Sequence, residues 1–263
     1  MKLSAVLALA AALLAPPALA QTPEQPEPCP RLIASGPPRF QRAAVKQDEL
    51  GLTFVGHATF LLETPQGVKI ATDYNSYVRP RGELDIVTMN KAHDTHFTNN
   101  VPPSIPHVLR GWNPRGGPAA HDLTVRDVRV RNVVTNIRDW GGATEYDANS
   151  IFVFEASQLC VAHLGHLHHE LTDEHLKQLG RVDVALTPVD GGFTLGQQGM
   201  INVLKTIQPQ LIIPMHIFGP STLNRFLAMA REHWPVEFAN NPSQVLSRAT
   251  LPPRGKVLVL PGN

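Results

Sequence analysis

The chain has 263 residues, with 23 Lys and Arg against 22 Asp and Glu and 43% hydrophobic residues, which suits a globular fold with a sizeable core. Charged residues at 17% are too few for a disordered polyelectrolyte, and the near-zero balance lacks the basic excess of a nucleic-acid binder. Two cysteines exclude a disulfide scaffold or a cysteine-built zinc module, whereas 12 histidines stand out.

Residues 1–20 carry Lys2, an apolar run over 5–14 and the ending Ala18-Leu19-Ala20. A positive start, a short apolar core and an A-x-A ending predict a secretory signal peptide. Pro16-Pro17 closes that core well short of the ~20 residues a membrane span needs. The expected destination is the periplasm or beyond, with no membrane attachment after cleavage. Residues 21–47 form a Pro-rich leader, and 48–263 form the domain. In an oxidising compartment Cys29 and Cys160 have two readings: a disulfide, or for Cys160 a small buried hydrophobe in Leu159-Cys160-Val161-Ala162.

From Gly51 the pattern turns β-rich. Residues 52–63 and 68–72 predict two strands around the turn Thr64-Pro65-Gln66-Gly67, and 85–89 predict a short apolar strand. Residues 98–122 hold five prolines and three glycines and predict a long loop, the kind that often carries function. Strands follow at 123–134, 150–155 and 158–163. A helix is expected at 172–179, with Thr172 as N-cap and Gly180 past its end. Then come a strand at 182–187, a helix at 195–207, a strand at 210–214, a helix at 221–233 and a strand at 256–260. Large sheets with helices among the later strands predict a layered α/β protein.

The histidines collect where predicted strands end. His93 and His96 follow 85–89, His163 and His166 follow 158–162, and His216 follows 210–214, while His57 lies inside the first strand. A ligand at a strand end stands on a rigid element, and imidazole suits zinc, iron, copper or nickel.

Together, Gly56-His57-Ala58-Thr59-Phe60-Leu61-Leu62-Glu63-Thr64, Thr72-Asp73, His163-Leu164-Gly165-His166, Thr187-Pro188-Val189-Asp190-Gly191-Gly192 and Pro214-Met215-His216 resemble the metallo-β-lactamase-fold hydrolases. The nearest branch by resemblance holds the ascorbate-6-phosphate lactonase. The resemblance implies a four-layer αββα sandwich with a one- or two-metal site at one edge of the sheets. It also marks departures. The family's H-x-H-x-D-H signature reads here Lys91-Ala92-His93-Asp94-Thr95-His96, and the carboxylate that bridges two metals is replaced by His166. The implied ligands are His93, His96, His163, His166 and His216, all imidazoles. With no carboxylate to offset two dications, one ion is expected, zinc first, with iron, copper or nickel also compatible.

Such a metal presents hydroxide near neutral pH. The expected function is therefore an exported hydrolase of a lactone, ester or phosphoester small molecule. A non-catalytic metal sensor and an iron-centre redox enzyme are the alternatives, and no nucleic-acid partner is expected. The resemblance implies that Asp73 braces a ligand histidine, against the plainer reading of a turn residue. Asp94 reads as a proton carrier or a solvated turn residue, and His57 as an orienting or a core histidine. Lys91 reads as a cation for a substrate phosphate or carboxylate. Asp139 falls where the family brings a His-Asp pair, with Arg138 in place of the histidine. His168, His169 and His175 are expected to face solvent or begin the next helix.

Overall fold

The structure, a computed structural model, describes residues 45–139 and 141–262. The predicted signal, nearly all of the leader and Cys29 lie outside the described residues.

Strands β1 (Leu50–Gly56), β2 (Thr59–Glu63), β3 (Lys69–Ala71), β4 (Ile86–Met89) and β5 (His107–Arg110) come first. They are followed by β6 (Asp122–Val125), β7 (Val128–Arg138), β8 (Thr144–Ala156) and β9 (Leu159–His163). Helix α1 (Asp173–Leu179), β10 (Val184–Pro188), α2 (Gln197–Ile207), β11 (Leu211–Met215) and α3 (Pro220–Ala230) alternate after that. β12 (Val236–Phe238), β13 (Ser243–Leu246) and β14 (Lys256–Val259) close the fold. One sheet runs β13-β1-β2-β3-β4-β5, and the other runs β12-β14-β11-β10-β9-β8-β7-β6.

The alternation in β1 explains its place: Leu50, Leu52 and Phe54 point inward, where Phe60 and Leu62 of β2 join them. These side chains meet Val161, Leu186, Ile213 and their neighbours from the other sheet, forming the core between the two sheets. β9, β10 and β11 are buried along their whole length because the second sheet is covered on its other face too. There Ala162, Ala185 and Ile212 pack under Leu179 of α1, Met200 and Leu204 of α2, and Phe226 and Leu227 of α3. The outer face of the first sheet is covered differently. Tyr74, Leu84, Phe97 and Ile105, from connecting segments, pack on Ala71, Val87 and Met89. The four layers are present, with loops forming much of the fourth among the described residues.

Helix α1 is capped as its sequence predicts: the Thr172 side chain accepts from the His175 backbone N–H, and Gly180 follows with φ 65°. His175 is therefore spent on the cap. Two expectations need correction. The single strand predicted over 52–63 is a hairpin, broken by Gly56 (φ 142°) and His57 (φ 52°). The loop predicted over 98–122 contains β5, paired parallel to β4 at the sheet edge. Four residues with no alternation carry little strand signal. β9, β10 and β11 run parallel, so the segments after His163, Pro188 and Met215 emerge at one end of the molecule.

Candidate metal centre

Six chain segments converge at that end. They hold His57 between β1 and β2, Asp73 after β3, His93 and His96 after β4, and the strand ends that carry His166, Asp190 and His216. Backbone bonds join them, among them one from the His216 N–H to the His57 carbonyl at 2.7 Å. His57, Asp73 and His216 have φ of 52°, 42° and 56°, a region that non-glycine residues adopt at a cost and that recurs at functional sites.

His57, His96 and His216 each bring a ring nitrogen within 4.8 Å of the others'. His96 Nδ1 donates to Asp73 Oδ2 at 2.5 Å, and His216 Nδ1 donates to Asp190 Oδ1 at 2.9 Å. With its proton committed to a carboxylate, each neutral ring has its lone pair on Nε2. Those two Nε2 atoms stand 3.1 Å apart. Lone pairs at that distance repel unless a positive charge lies between them. His57 Nε2 is also buried and has no hydrogen-bond partner among the described residues. Three imidazole nitrogens facing one point, two of them braced by carboxylates, fit a catalytic zinc with an open position.

Burial and the neighbouring His216, His96 and His93 push His57 down to about 3, and burial with His216 and His93 holds His96 well below the usual histidine range. Neutral rings are what a metal requires. Burial raises Asp73 to about 6, opposed by His163, by the Asn90 hydrogen bond and by His216. Burial pushes Asp190 up as well, but hydrogen bonds from His216, Thr194 and Gly192 outweigh it and hold the carboxyl below its usual value. Gly165 (φ 60°) lies against this support. A Cβ there would stand 2.6 Å from the side chains of both Asn90 and Asn149, and Asn90 Nδ2 donates to Asp73.

The other residues expected at the site fall in several places. His163 is turned away from the cluster. It ends β9 in phase with Leu159 and Val161, so its ring enters the core between the sheets. There Nε2 donates to the Ala58 carbonyl at 2.8 Å and Nδ1 accepts from the Gly165 N–H at 3.2 Å, which occupies both nitrogens. Lys91 is carried outward by its turn and pairs with Glu145 at the surface, so it does not stand in for a missing ligand. Asp94 is exposed and accepts from the Tyr77 hydroxyl at 2.7 Å. His93 stands farther out, its ring 6.1 Å from that of His96 and 4.7 Å from that of His166. His166 is fully buried, edge-on to His96 and His216 at 4.9 Å from each. Asp139 caps the turn after β7 by accepting from Gly141 and Ala143.

Sequence reasoning passed over Asp190 and His168. Asp190 sat in the quoted stretch Thr187 to Gly192, at a strand end before two glycines, and could have been singled out. His168 is not a solvent residue: its Nε2 lies 2.5 Å from His166 Nδ1. The i, i+2 spacing of the two histidines, just past a strand end, was its signal.

A cleft of about 460 Å³ opens beside the cluster, lined by Asp190, Gly192, Phe193, Gln197, Phe218 and Arg225. Phe218 lies edge-on to His216 at 4.9 Å and Phe193 edge-on to His93 at 5.9 Å, and both aromatic rings are exposed.

The profile of the family described as Beta-lactamase superfamily domain matches residues 51–216. The chain belongs to that family. The fold just described is the metallo-β-lactamase fold. Among curated relatives, a UPF0173 metal-dependent hydrolase of Archaeoglobus fulgidus is 25% identical over 189 residues, spanning 63% of this chain and 82% of the relative. Another from Pelotomaculum thermopropionicum is 25% identical over 191 residues, spanning 63% and 83%. Among solved structures, a protein from Thermotoga maritima assigned as a Zn-dependent hydrolase of the metallo-β-lactamase superfamily matches with TM-score 0.60 and 27% identity, covering 81% of this chain and all of that one. A metallo hydrolase from Ignicoccus hospitalis shares the fold at TM-score 0.52 and 19% identity, covering 80% and 94%.

Proposed function

We propose that this chain is an exported, single-zinc hydrolase of the metallo-β-lactamase superfamily that acts on a lactone, ester or phosphoester bearing an acidic group. The observation that carries the reading is the facing pair of His96 and His216 nitrogens at 3.1 Å, each ring braced by a carboxylate. His57 completes a three-histidine face. Zinc held there would supply Lewis acidity at a carbonyl or phosphoryl oxygen and bring the pKa of water towards neutrality.

The chain's own residues do the rest. Asp73 and Asp190 fix the tautomers of His96 and His216 and hold the rings in place. Phe193 and Phe218 form an apolar lip that limits water at the mouth. In the cleft, Arg225 Nε donates to Gln197 Oε1 at 3.2 Å, which orients the guanidinium, and among the described residues no carboxylate pairs with it. That guanidinium takes the role first expected of Lys91, binding a carboxylate or phosphate of the substrate. Secretion rests on the signal read in residues 1–20. Kinship to the lactonase branch rests on the quoted motifs, and the open three-histidine face favours one ion over two.

The test is to strip the mature protein with chelator, add back zinc, and assay a panel of acidic lactones, carboxylate esters and phosphoesters. Binding of one zinc per chain with recovery of hydrolysis is expected. Failure to bind zinc at micromolar concentration, or hydrolysis unaffected by chelation, would sink the reading.

A further inference from the structure

Behind His166 stands a different kind of support. His168 Nδ1 accepts from the Arg138 backbone N–H at 2.9 Å and faces the Arg138 Nε–H at 3.3 Å. Both groups can only donate, so the lone pair of His168 is on Nδ1 and its proton is on Nε2. That proton points at His166 Nδ1, 2.5 Å away. His166 Nδ1 must accept, and a neutral His166 therefore carries its own proton on Nε2.

His166 Nε2 is fully buried and has no hydrogen-bond partner among the described residues. Its ring stands within 5 Å of His93, His96 and His216, at 77°, 88° and 86° to them. A buried N–H with no partner, on a ring packed at near right angles against three other imidazoles, is a donor awaiting an acceptor.

We propose that His166 is not a metal ligand but a catalytic hydrogen-bond donor, its Nε2–H held towards the substrate oxygen on which negative charge develops. Arg138 and His168 are positioning residues that fix this tautomer. The inference rests on the metal-centre reading and deepens it: the position where relatives by resemblance place a carboxylate ligand has become an oxyanion donor. Arg138 ties the arrangement to the other wall of the site, since its Nη2 donates to the Thr194 carbonyl and the Thr194 hydroxyl donates to Asp190.

Two measurements test it. In metal-free, 15N-labelled protein, long-range 1H–15N correlations should show His166 in the Nε2–H tautomer; an Nδ1–H tautomer overturns the proposal. In the zinc-loaded enzyme, His166→Leu should keep one zinc per chain and lower kcat about 10²-fold with KM little changed, while His166→Gln, which retains an N–H, recovers part of the loss. Loss of zinc from His166→Leu, or equal activity of the Leu and Gln variants, overturns it. Wild-type protein that binds no zinc defeats the metal-centre reading itself, and the tautomer spectrum still decides which nitrogen of His166 bears the proton.

Discussion

Three buried imidazoles share the centre of this site, and what stands behind each sets the chemistry of its front. Behind His96 and His216 are carboxylates, Asp73 and Asp190, which accept the Nδ1 proton and leave a lone pair facing inward. Behind His166 is a donor, His168, which occupies Nδ1 and leaves a proton facing inward. The rings are nearly equidistant, 4.9 to 5.0 Å between centroids, so neither distance nor burial separates ligand from donor. The partner one bond away separates them. Sequence alone shows three histidines at strand ends; the sorting into roles needs the shell behind them.

The largest expected effect comes from breaking the ligand side. His216→Ala should weaken zinc binding by about 10²-fold or more and abolish zinc-dependent hydrolysis, as measured by metal content after dialysis. His163→Gln is the control that sharpens the contrast. Its ring serves the Ala58 carbonyl and the Gly165 N–H in the core, so the change should cost about 1–3 kcal/mol in denaturant unfolding and leave zinc content intact. If His163→Gln loses zinc, the ligand set described above is wrong.

Next come the braces. Asp190→Asn removes the acceptor that fixes the His216 tautomer, and zinc affinity should fall about 10- to 100-fold by competition with a chelating dye. The reverse exchange tests the same rule with the opposite sign. His168→Glu places a carboxylate behind His166, which should move its proton to Nδ1 and present a new lone pair. Zinc affinity should then rise, by about 10-fold, while kcat falls because the donor is lost. Unchanged affinity in His168→Glu would show that the partner behind the ring does not govern its front.

Acid should strain the buried, neutral cluster as a whole in metal-free protein. His57, pushed down to about 3, refuses in the native state a proton that the unfolded chain takes up near 6.5. Its stability contribution is therefore complete above pH 6.5 and is lost as pH falls towards 3. His93, His96, His163, His166 and His168 are lowered as well and add with the same sign. Asp73, raised to about 6, has the opposite sign, favouring the fold at low pH and losing that contribution as pH rises through 6. One group against six leaves the histidines dominant. The Tm of the metal-free protein should drop by at least about 10 °C from pH 7 to pH 5, and a flat profile would contradict the buried, neutral cluster.

Much of the fold was legible because alternation and helix caps are local. Leu50, Leu52 and Phe54 announce a strand, and Thr172 with Gly180 brackets a helix. β5, β12 and β13 were not legible, since three or four residues at a sheet edge take their structure from the neighbour they pair with. The site divided in the same way. That histidines end strands is a sequence property, so His96, His166 and His216 could be placed near one another from sequence. The turn at Gly56 and His57 was hidden in an apolar run, which left His57 open between an orienting and a core role. His163 could not be separated from the ligands without knowing the parity of β9, because a one-residue change of phase exchanges the core for the site.

The smallest effect expected is at Lys91, and it tests the outer boundary of the comparison. By resemblance this residue stands where a ligand histidine belongs, which suggested a cation inside the site. Its ammonium instead pairs with Glu145, and both side chains are well exposed, 44% and 38%. Water screens such a pair, and ion pairs of this kind contribute about 0–1 kcal/mol. Lys91→Ala should therefore leave zinc content unchanged, shift stability by less than about 1 kcal/mol, and change kcat/KM for an acidic ester by less than about 3-fold. Arg225→Ala, in the cleft, should raise KM for the same ester by about 10-fold or more, the loss expected for a charge-assisted hydrogen bond. The two cations thus give opposite results on one substrate. If Lys91→Ala raises KM and Arg225→Ala does not, the acidic group of the substrate binds at the signature turn, and the cleft beside Phe193 and Phe218 is not its seat.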